Sequence, residues 1–241
     1  MRKIIALGVF SLIAIFGTGI ARADDMLARD TSDPMYMLGI EEILSETNLT
    51  YWDKVLRLGQ SISYGLNNRL TVHGNLHYQN DFDGDEDGFS SFDIGGVYRM
   101  GTGDDNAARI MYDVLFGFKF GGSSHVRTPW FADSTYYAGL RFGRQWAGMT
   151  LAGTIKSSWI FDDHRGMSYI DFIPEAYFRL NPDWRIGAGV IIRKATNPDY
   201  DQEWLNFKLI RQYGRTQYIG HLDYEFESED VQIGAKVNIL F

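Results

Sequence analysis

The sequence predicts an all-β protein: a transmembrane, antiparallel, up-and-down β-barrel of twelve strands, with ten strands as the alternative. Three observations lead to this fold. Apolar and polar residues alternate along many short segments, the breaks between these segments are alternately short and long, and aromatic residues make up 15% of the chain. Alternation places apolar side chains on one strand face and polar ones on the other, and aromatic enrichment is typical of the two interfaces of a bilayer.

Residues 1–23 have the composition of a signal peptide. Arg2 and Lys3 precede an apolar stretch over residues 4–20, and Ala21-Arg22-Ala23 fits an A-x-A cleavage site. We therefore expect this segment to be removed on export and not to remain as a membrane anchor.

The mature chain is predicted to be acidic. Residues 1–23 hold three of the 23 basic residues, so 20 remain against 31 acidic residues, a net charge of about −11. This charge excludes a general nucleic-acid binder. The absence of cysteine excludes a disulfide framework and a thiolate metal site.

Residues 24–54 form an N-terminal segment whose structure the alternation leaves open. Alternation marks eleven strands downstream, and a bacterial barrel with both ends on one side needs an even number. Residues 35–44 are the best candidate for the missing strand, but they alternate poorly. Asp33-Pro34 resembles a helix N-cap followed by proline at the first helical position, which favours a short helix instead.

Residues 55–241 are predicted to form the rest of the barrel. In residues 107–120, for example, aromatic and aliphatic residues fall on one face, opposite charged residues such as Asp113 and Lys119. The same division recurs in all the predicted strands, which are roughly 55–65, 69–79, 90–99, 107–120, 135–145, 149–161, 167–180, 184–195, 203–212, 216–226 and 231–241.

The breaks between strands alternate in length. One set is short, although 100–106 is longer than the others: 66–68, 100–106, 146–148, 181–183 and 213–215. The other set is longer on average and more acidic: 80–89, 121–134, 162–166 and 196–202. Short turns on one side and long loops on the other are typical of outer-membrane barrels, whose short turns are periplasmic. A soluble antiparallel sandwich would share the strand alternation. The predicted strands, however, carry aromatic residues near both ends, and two such girdles are typical of a barrel in a bilayer.

The last eleven residues, VQIGAKVNILF, carry an apolar residue at every second position from Val231 to Phe241. This pattern resembles the closing strand of Gram-negative bacterial outer-membrane β-barrels, whose terminal Phe is read by the barrel-assembly machinery. The resemblance implies location in the bacterial outer membrane and contact with outer-membrane lipid and lipopolysaccharide. It also implies that the assembly machinery recognises Phe241.

Alternation also identifies the side chains expected to line the lumen. Twelve are basic: Arg57, Arg69, Arg99, Arg109, Lys119, Arg141, Lys156, Arg179, Arg185, Arg193, Lys208 and Lys236. Six are acidic: Asp93, Asp113, Asp171, Glu175, Asp223 and Glu225. This excess of basic residues predicts a narrow pore for small, preferentially anionic solutes. Size, strand count and basic interior resemble those of small twelve-stranded porins that admit acidic sugars, although no sequence motif links the chain to them.

Two alternatives to a pore stay open. Lumen charges could pair across a closed interior, which would make the protein a structural barrel. An outer-membrane enzyme with a site at the extracellular mouth would need a histidine beside a nucleophile and a carboxylate. His73, His77 and His221 face the predicted lumen, and Asp223 follows His221 on the same face, but no residue is assigned a catalytic role.

One outer loop contains a possible calcium motif. Asp83, Asp85 and Asp87 precede Gly88 with the spacing that opens a calcium loop, but Ile94 stands where an EF-hand needs its bidentate glutamate. A solvated acidic loop and a divalent-ion site are both compatible with these residues, and no other cofactor is expected.

Overall fold

The computed structural model describes residues 30–83, 87–105, 108–122, 134–146, 148–161 and 167–241, and it describes no side chains within 102–109. The predicted signal peptide therefore lies outside the described residues. Within these ranges no helix is both long and apolar enough to cross a membrane.

Twelve antiparallel strands form one closed barrel in which every strand pairs with its neighbours in the chain and the first pairs with the last. The strands are β1 Ile43–Trp52, β2 Val55–Asn67, β3 Leu70–Asp81, β4 Gly88–Asp105, β5 Ala108–Gly121, β6 Thr135–Gln145, β7 Met149–Ile160, β8 Ser168–Arg179, β9 Trp184–Ala195, β10 Gln202–Tyr213, β11 Thr216–Glu225 and β12 Val231–Leu240. The prediction of an all-β, up-and-down barrel with twelve strands is confirmed, and the alternative of ten strands is wrong.

The outer face of the barrel is apolar and the inner face is polar. On β12, Ile233 is 58% exposed on the outside, whereas Asp113 of β5 and Asp171 of β8 are buried inside. Closure leaves no strand edge unpaired, which is what a β-structure needs to cross a lipid bilayer. This fold is that of a bacterial outer-membrane barrel, as the sequence predicted.

The first strand does not lie at residues 35–44 as predicted. It is Ile43–Trp52, and residues 35–42 form turns and irregular chain, neither strand nor helix. Alternation did not reveal β1 because its outward face carries Ser45 and Thr47. Their hydroxyls are satisfied by the outward Gln60 of β2, which accepts from Thr47 at 2.7 Å and donates to Ser45 at 3.1 Å.

The connections divide between the two ends of the barrel as predicted. We call the end with the short turns, such as 68–69 and 214–215, the periplasmic end. The opposite, outer end carries most of the longer connections and one tight turn, in which Asp53 and Lys54 both have positive φ. Both β1 and β12 have their free ends on the periplasmic side.

Candidate functional site: the lumen

The lumen contains a cavity of about 910 Å³. Residues at the outer ends of strands, such as Trp52 and Gln202, line it at one end, and residues 31–34 and 36–38 line it at the other. The cavity therefore extends from the outer mouth down to the N-terminal segment. Its size is in the range of small-molecule sites.

One buried charge network joins β4, β5 and β6. The carboxylate of Asp113 is fully buried and forms ion pairs with two arginines. Nε of Arg99 lies 2.6 Å from Oδ1, and Nη2 of Arg141 lies 2.6 Å from Oδ2. Both arginines donate two hydrogen bonds to it. Two cations sharing one carboxylate give this network a net positive charge.

A second network joins β7, β8 and β9. Asp171 is buried and accepts from Arg193 at 2.7 Å, while the ammonium of Lys156 lies 3.4 Å away. The guanidinium of Arg193 also lies 4.2 Å from the ring centroid of Tyr169, a favourable cation–π contact. Two further ion pairs lie on the inner face of the barrel. Lys208 contacts Glu175 at 3.1 Å, and Lys236 contacts Glu46.

In each of these six ion pairs the basic side chain is more exposed to the lumen than its acidic partner. Exposed fractions are 10–34% for the basic side chains and 0–23% for the carboxylates. The cationic groups thus shield Asp113 and Asp171 from the water of the cavity, whereas Glu46 and Glu175 line the cavity beside their lysine partners.

The three lumen histidines belong to polar networks. His73 lies 3.1 Å from the hydroxyl of Tyr137, and both His73 and His77 lie 3.8 Å from Asp93. His221 contacts Asp223 at 3.0 Å and Asn48 at 3.2 Å. The contacts described for His221 are thus a carboxylate and an amide, without the hydroxyl nucleophile that a catalytic triad requires.

Residues 30–42, which we call the strap, fold into the periplasmic mouth of the barrel. Asp30 is held at β8, β9 and β11: it forms an ion pair with Arg185 and accepts from Tyr177 at 2.9 Å and from Gln217 at 2.8 Å. Asp33 is held at β6 and β7, where Gln145 donates to it at 3.0 Å and Thr150 at 2.5 Å. Burial raises the pKa of the Asp33 carboxyl above its usual value by desolvation, and the hydrogen bonds from its neutral partners offset this only in part.

The second half of the strap contacts β4, β6 and β2. The carbonyl of Met35 accepts from Arg99 at 2.8 Å. A Cβ on Gly143 would lie 2.6 Å from the Met35 sulfur, and one on Gly65 would lie 1.8 Å from the Gly39 carbonyl oxygen. Glycine at these two wall positions therefore makes room for the strap. Since β2 and β8 are six strands apart in a ring of twelve, the strap crosses the mouth to the opposite wall.

The predicted basic lumen set is largely, but not wholly, inside the barrel. Arg69 lies exposed in the β2–β3 turn and Arg179 is exposed at the end of β8, so these two lie at the periplasmic rim. The side chain of Arg109 lies outside the described residues. Nine of the twelve remain at inward strand positions: Arg57, Arg99, Lys119, Arg141, Lys156, Arg185, Arg193, Lys208 and Lys236.

Four acidic residues in or lining the lumen were missed by the sequence analysis: Asp30, Asp33, Glu46 and Asp230. Adding them to the six predicted gives ten, against the nine basic residues still inside. The predicted net positive count is therefore not retained among the described residues. Glu46 was missed because β1 was not recognised, and nothing in the local sequence places Asp30 and Asp33 inside a barrel.

The calcium hypothesis stays a prediction. Asp83 forms an ion pair with Lys54, whose pKa it raises, and Asp85 lies outside the described residues. Among the described residues no group of three or more candidate ligands is close enough to hold a metal ion.

If Asp83, Asp85 and Asp87 do bind calcium, the ion will raise the melting temperature of the parent by mass action, and changing all three to Asn will remove the effect. A melting curve of the parent that does not respond to calcium would identify the loop as a solvated surface.

Comparison with known proteins finds no matching family model and no matching curated relative. Solved structures do match. The KdgM porin in complex with disordered oligogalacturonate is 12% identical with a TM-score of 0.63, and the alignment covers 81% of this chain and 98% of that one. The NanC porin in a rhombohedral crystal form is 9% identical with a TM-score of 0.59, covering 82% and 98%. At these identities the likeness establishes the shared barrel fold.

Proposed function

Because the chain folds as a closed twelve-stranded barrel of the outer-membrane type, we propose that it is a narrow pore for small solutes, with a preference for anionic ones. The cavity that runs from the outer mouth to the strap supports a passage, since a purely structural interior would be filled by side chains. One of its structural neighbours, a porin, is described with an acidic oligosaccharide, oligogalacturonate.

The observation that carries the anion preference is the exposure of the ion pairs, and not the net count of charges. In all six wall pairs the cationic group is the more exposed partner. At Asp113 and Asp171 a solute therefore meets the ammonium and guanidinium groups first, because these two carboxylates are buried behind them. Charged groups that line a pore lower the barrier for ions of the opposite sign.

Conductance in a planar bilayer tests this proposal. In a salt gradient we expect the parent to conduct and its reversal potential to have the sign of anion selectivity. A variant lacking residues 24–38 should conduct more, since the strap partly fills the mouth, and its folding can be checked by heat-modifiability on a gel. Cation selectivity would contradict the charge argument. Absence of conductance in both proteins would favour the closed structural barrel.

A further inference from the structure

We propose that Asp30 is the tethered occupant of a carboxylate-binding site built from Arg185, Tyr177 and Gln217, and that an acidic solute displaces it and so releases the strap. This inference rests on the proposed function, because it requires anionic solutes to enter the lumen. It adds a site at the periplasmic end and a role for the strap as a plug that competes with the solute.

The site has the chemistry of a carboxylate receptor. Arg185, Gln217 and Tyr177 are 2%, 1% and 5% exposed, so a guanidinium, an amide N–H and a phenol hydroxyl converge on one buried point. All three contact the Asp30 carboxylate. The Nη1 atom of Arg185 is buried and has no hydrogen-bond partner among the described residues. The guanidinium therefore retains a donor that a further oxygen could satisfy.

Arg185 differs from the other paired lumen arginines in the source of its counter-charge. Arg99 and Arg141 pair with Asp113, and Arg193 pairs with Asp171, which are residues of the barrel wall. Within the described part of the chain, Arg185 pairs with Asp30, which is a residue of the strap. If the strap left alone, a buried guanidinium would lose its partner, which is strongly unfavourable. Exchange for a second carboxylate keeps the charge paired, so an acidic solute favours release.

The contacts described for the rest of the strap are hydrogen bonds and apolar packing. Asp33 accepts hydrogen bonds from neutral donors, and Met35 and Leu38 pack against the glycine positions of the wall. The C-terminal end of the strap is bonded to the backbone of β2. The N–H of Glu41 donates to the carbonyl of Gly65 at 2.9 Å, and the N–H of Gly65 donates to the carbonyl of Glu42 at 3.0 Å. Release of residues 30–39 breaks the hydrogen bond from Arg99 to the Met35 carbonyl and the packing of Leu38 on Leu44 and Leu240, while this anchor to β2 remains.

The position of the strap allows a solute to reach it. Residues 31–34 and 36–38 of the strap line the lower end of the cavity. A solute that enters from the outer mouth passes the exposed cationic groups and meets the strap next. Asp30 precedes these residues in the chain, and neither it nor Arg185, Tyr177 and Gln217 lines the cavity, so the solute reaches the carboxylate site only as the strap begins to leave.

Cysteine labelling tests the inference, because the chain contains no cysteine. Met35 belongs to the strap and is 2% exposed when the strap is docked, so Met35→Cys should react slowly with a water-soluble maleimide. We expect trigalacturonate, used as the acidic probe, to raise the labelling rate severalfold, and maltotriose, a neutral trisaccharide, to leave it unchanged. Ser158→Cys, buried on β7 towards the outer end, reports on general opening of the barrel and should respond to neither.

Two further variants separate the carboxylate site from other contacts of the strap. In the Met35→Cys background, Asp30→Asn should raise the labelling rate without any probe by roughly tenfold or more, because it breaks a buried ion pair. Asp33→Asn is the comparison variant: it costs hydrogen bonds from neutral donors but breaks no ion pair, so it should raise the rate clearly less than Asp30→Asn does. If Asp30→Asn does not fold, Asp30→Asn with Arg185→Gln replaces the ion pair by neutral groups. That double variant should label slowly and no longer respond to trigalacturonate.

Equal labelling of the Asp30→Asn and Asp33→Asn variants would overturn the inference, as would a double variant that still responds to trigalacturonate. A protein that conducts anions but whose strap never responds to the probe would refute the plug and leave the proposed pore intact. A variant without the strap that conducts nothing would refute the pore and, with it, the inference.

Discussion

Replacing Asp113 with alanine will lower the free energy of unfolding by about 3–5 kcal/mol, the range measured when one partner of a buried charge network is removed. Asp113 is fully buried and is the shared acceptor of Arg99 and Arg141. Its removal leaves two guanidiniums facing each other without a counter-charge. Urea unfolding of the protein in lipid vesicles, followed by tryptophan fluorescence or by the heat-modifiable gel shift, measures the loss.

Asp201→Asn is the matched control for this change. Asp201 is a solvent-exposed loop carboxylate; the backbone N–H of Ala195 and then Lys194 hold its pKa below the usual value. Its small contribution is present at neutral pH and is lost as the pH falls through that lowered pKa. Because solvent screens this group, the unfolding midpoint at pH 7 should hardly move. Equal stability of the Asp113→Ala and Asp201→Asn variants would mean that lumen water replaces the buried carboxylate.

Changing Lys156, Lys208 and Lys236 together to glutamine is expected to shift the selectivity of the proposed pore towards cations. All three are lumen cations, and each is more exposed than its carboxylate partner. A unit charge about 6 Å from a passing ion contributes roughly 0.7 kcal/mol even at the dielectric constant of water. Loss of three such charges should therefore lower the ratio of anion to cation permeability by about tenfold or more. The reversal potential in a salt gradient measures this ratio.

Lysines are the residues to change, because Arg141 and Arg193 also neutralise the buried Asp113 and Asp171. The control is Lys54→Gln with Lys194→Gln, which removes two exposed cations outside the lumen and should leave the reversal potential almost unchanged. An unchanged permeability ratio in the triple variant would show that exposed lumen lysines do not set selectivity.

The barrel could be predicted from the sequence because its determinants are local. A strand with one lipid-facing side must alternate with period two, and this period is visible in any run such as 107–120. Turn lengths are equally local, so the two ends of the barrel could be distinguished before the strands were paired. Strand β1 was the exception, because Ser45 and Thr47 replace apolar residues on its outer face and are satisfied only by Gln60 of the neighbouring strand.

The electrostatics of the lumen were decided by the tertiary structure. Inward positions could be read from alternation, but the partner of each charge depends on strand register and on what enters the barrel. Asp30 and Gln217 are 187 residues apart in the chain and in contact in the fold. Such a contact cannot be predicted from local sequence, because the two residues meet only when the barrel closes around the strap. The sequence by itself therefore determined eleven of the twelve strands, their order and the apolar exterior, whereas barrel closure decided the charge balance and the position of the strap in the periplasmic mouth.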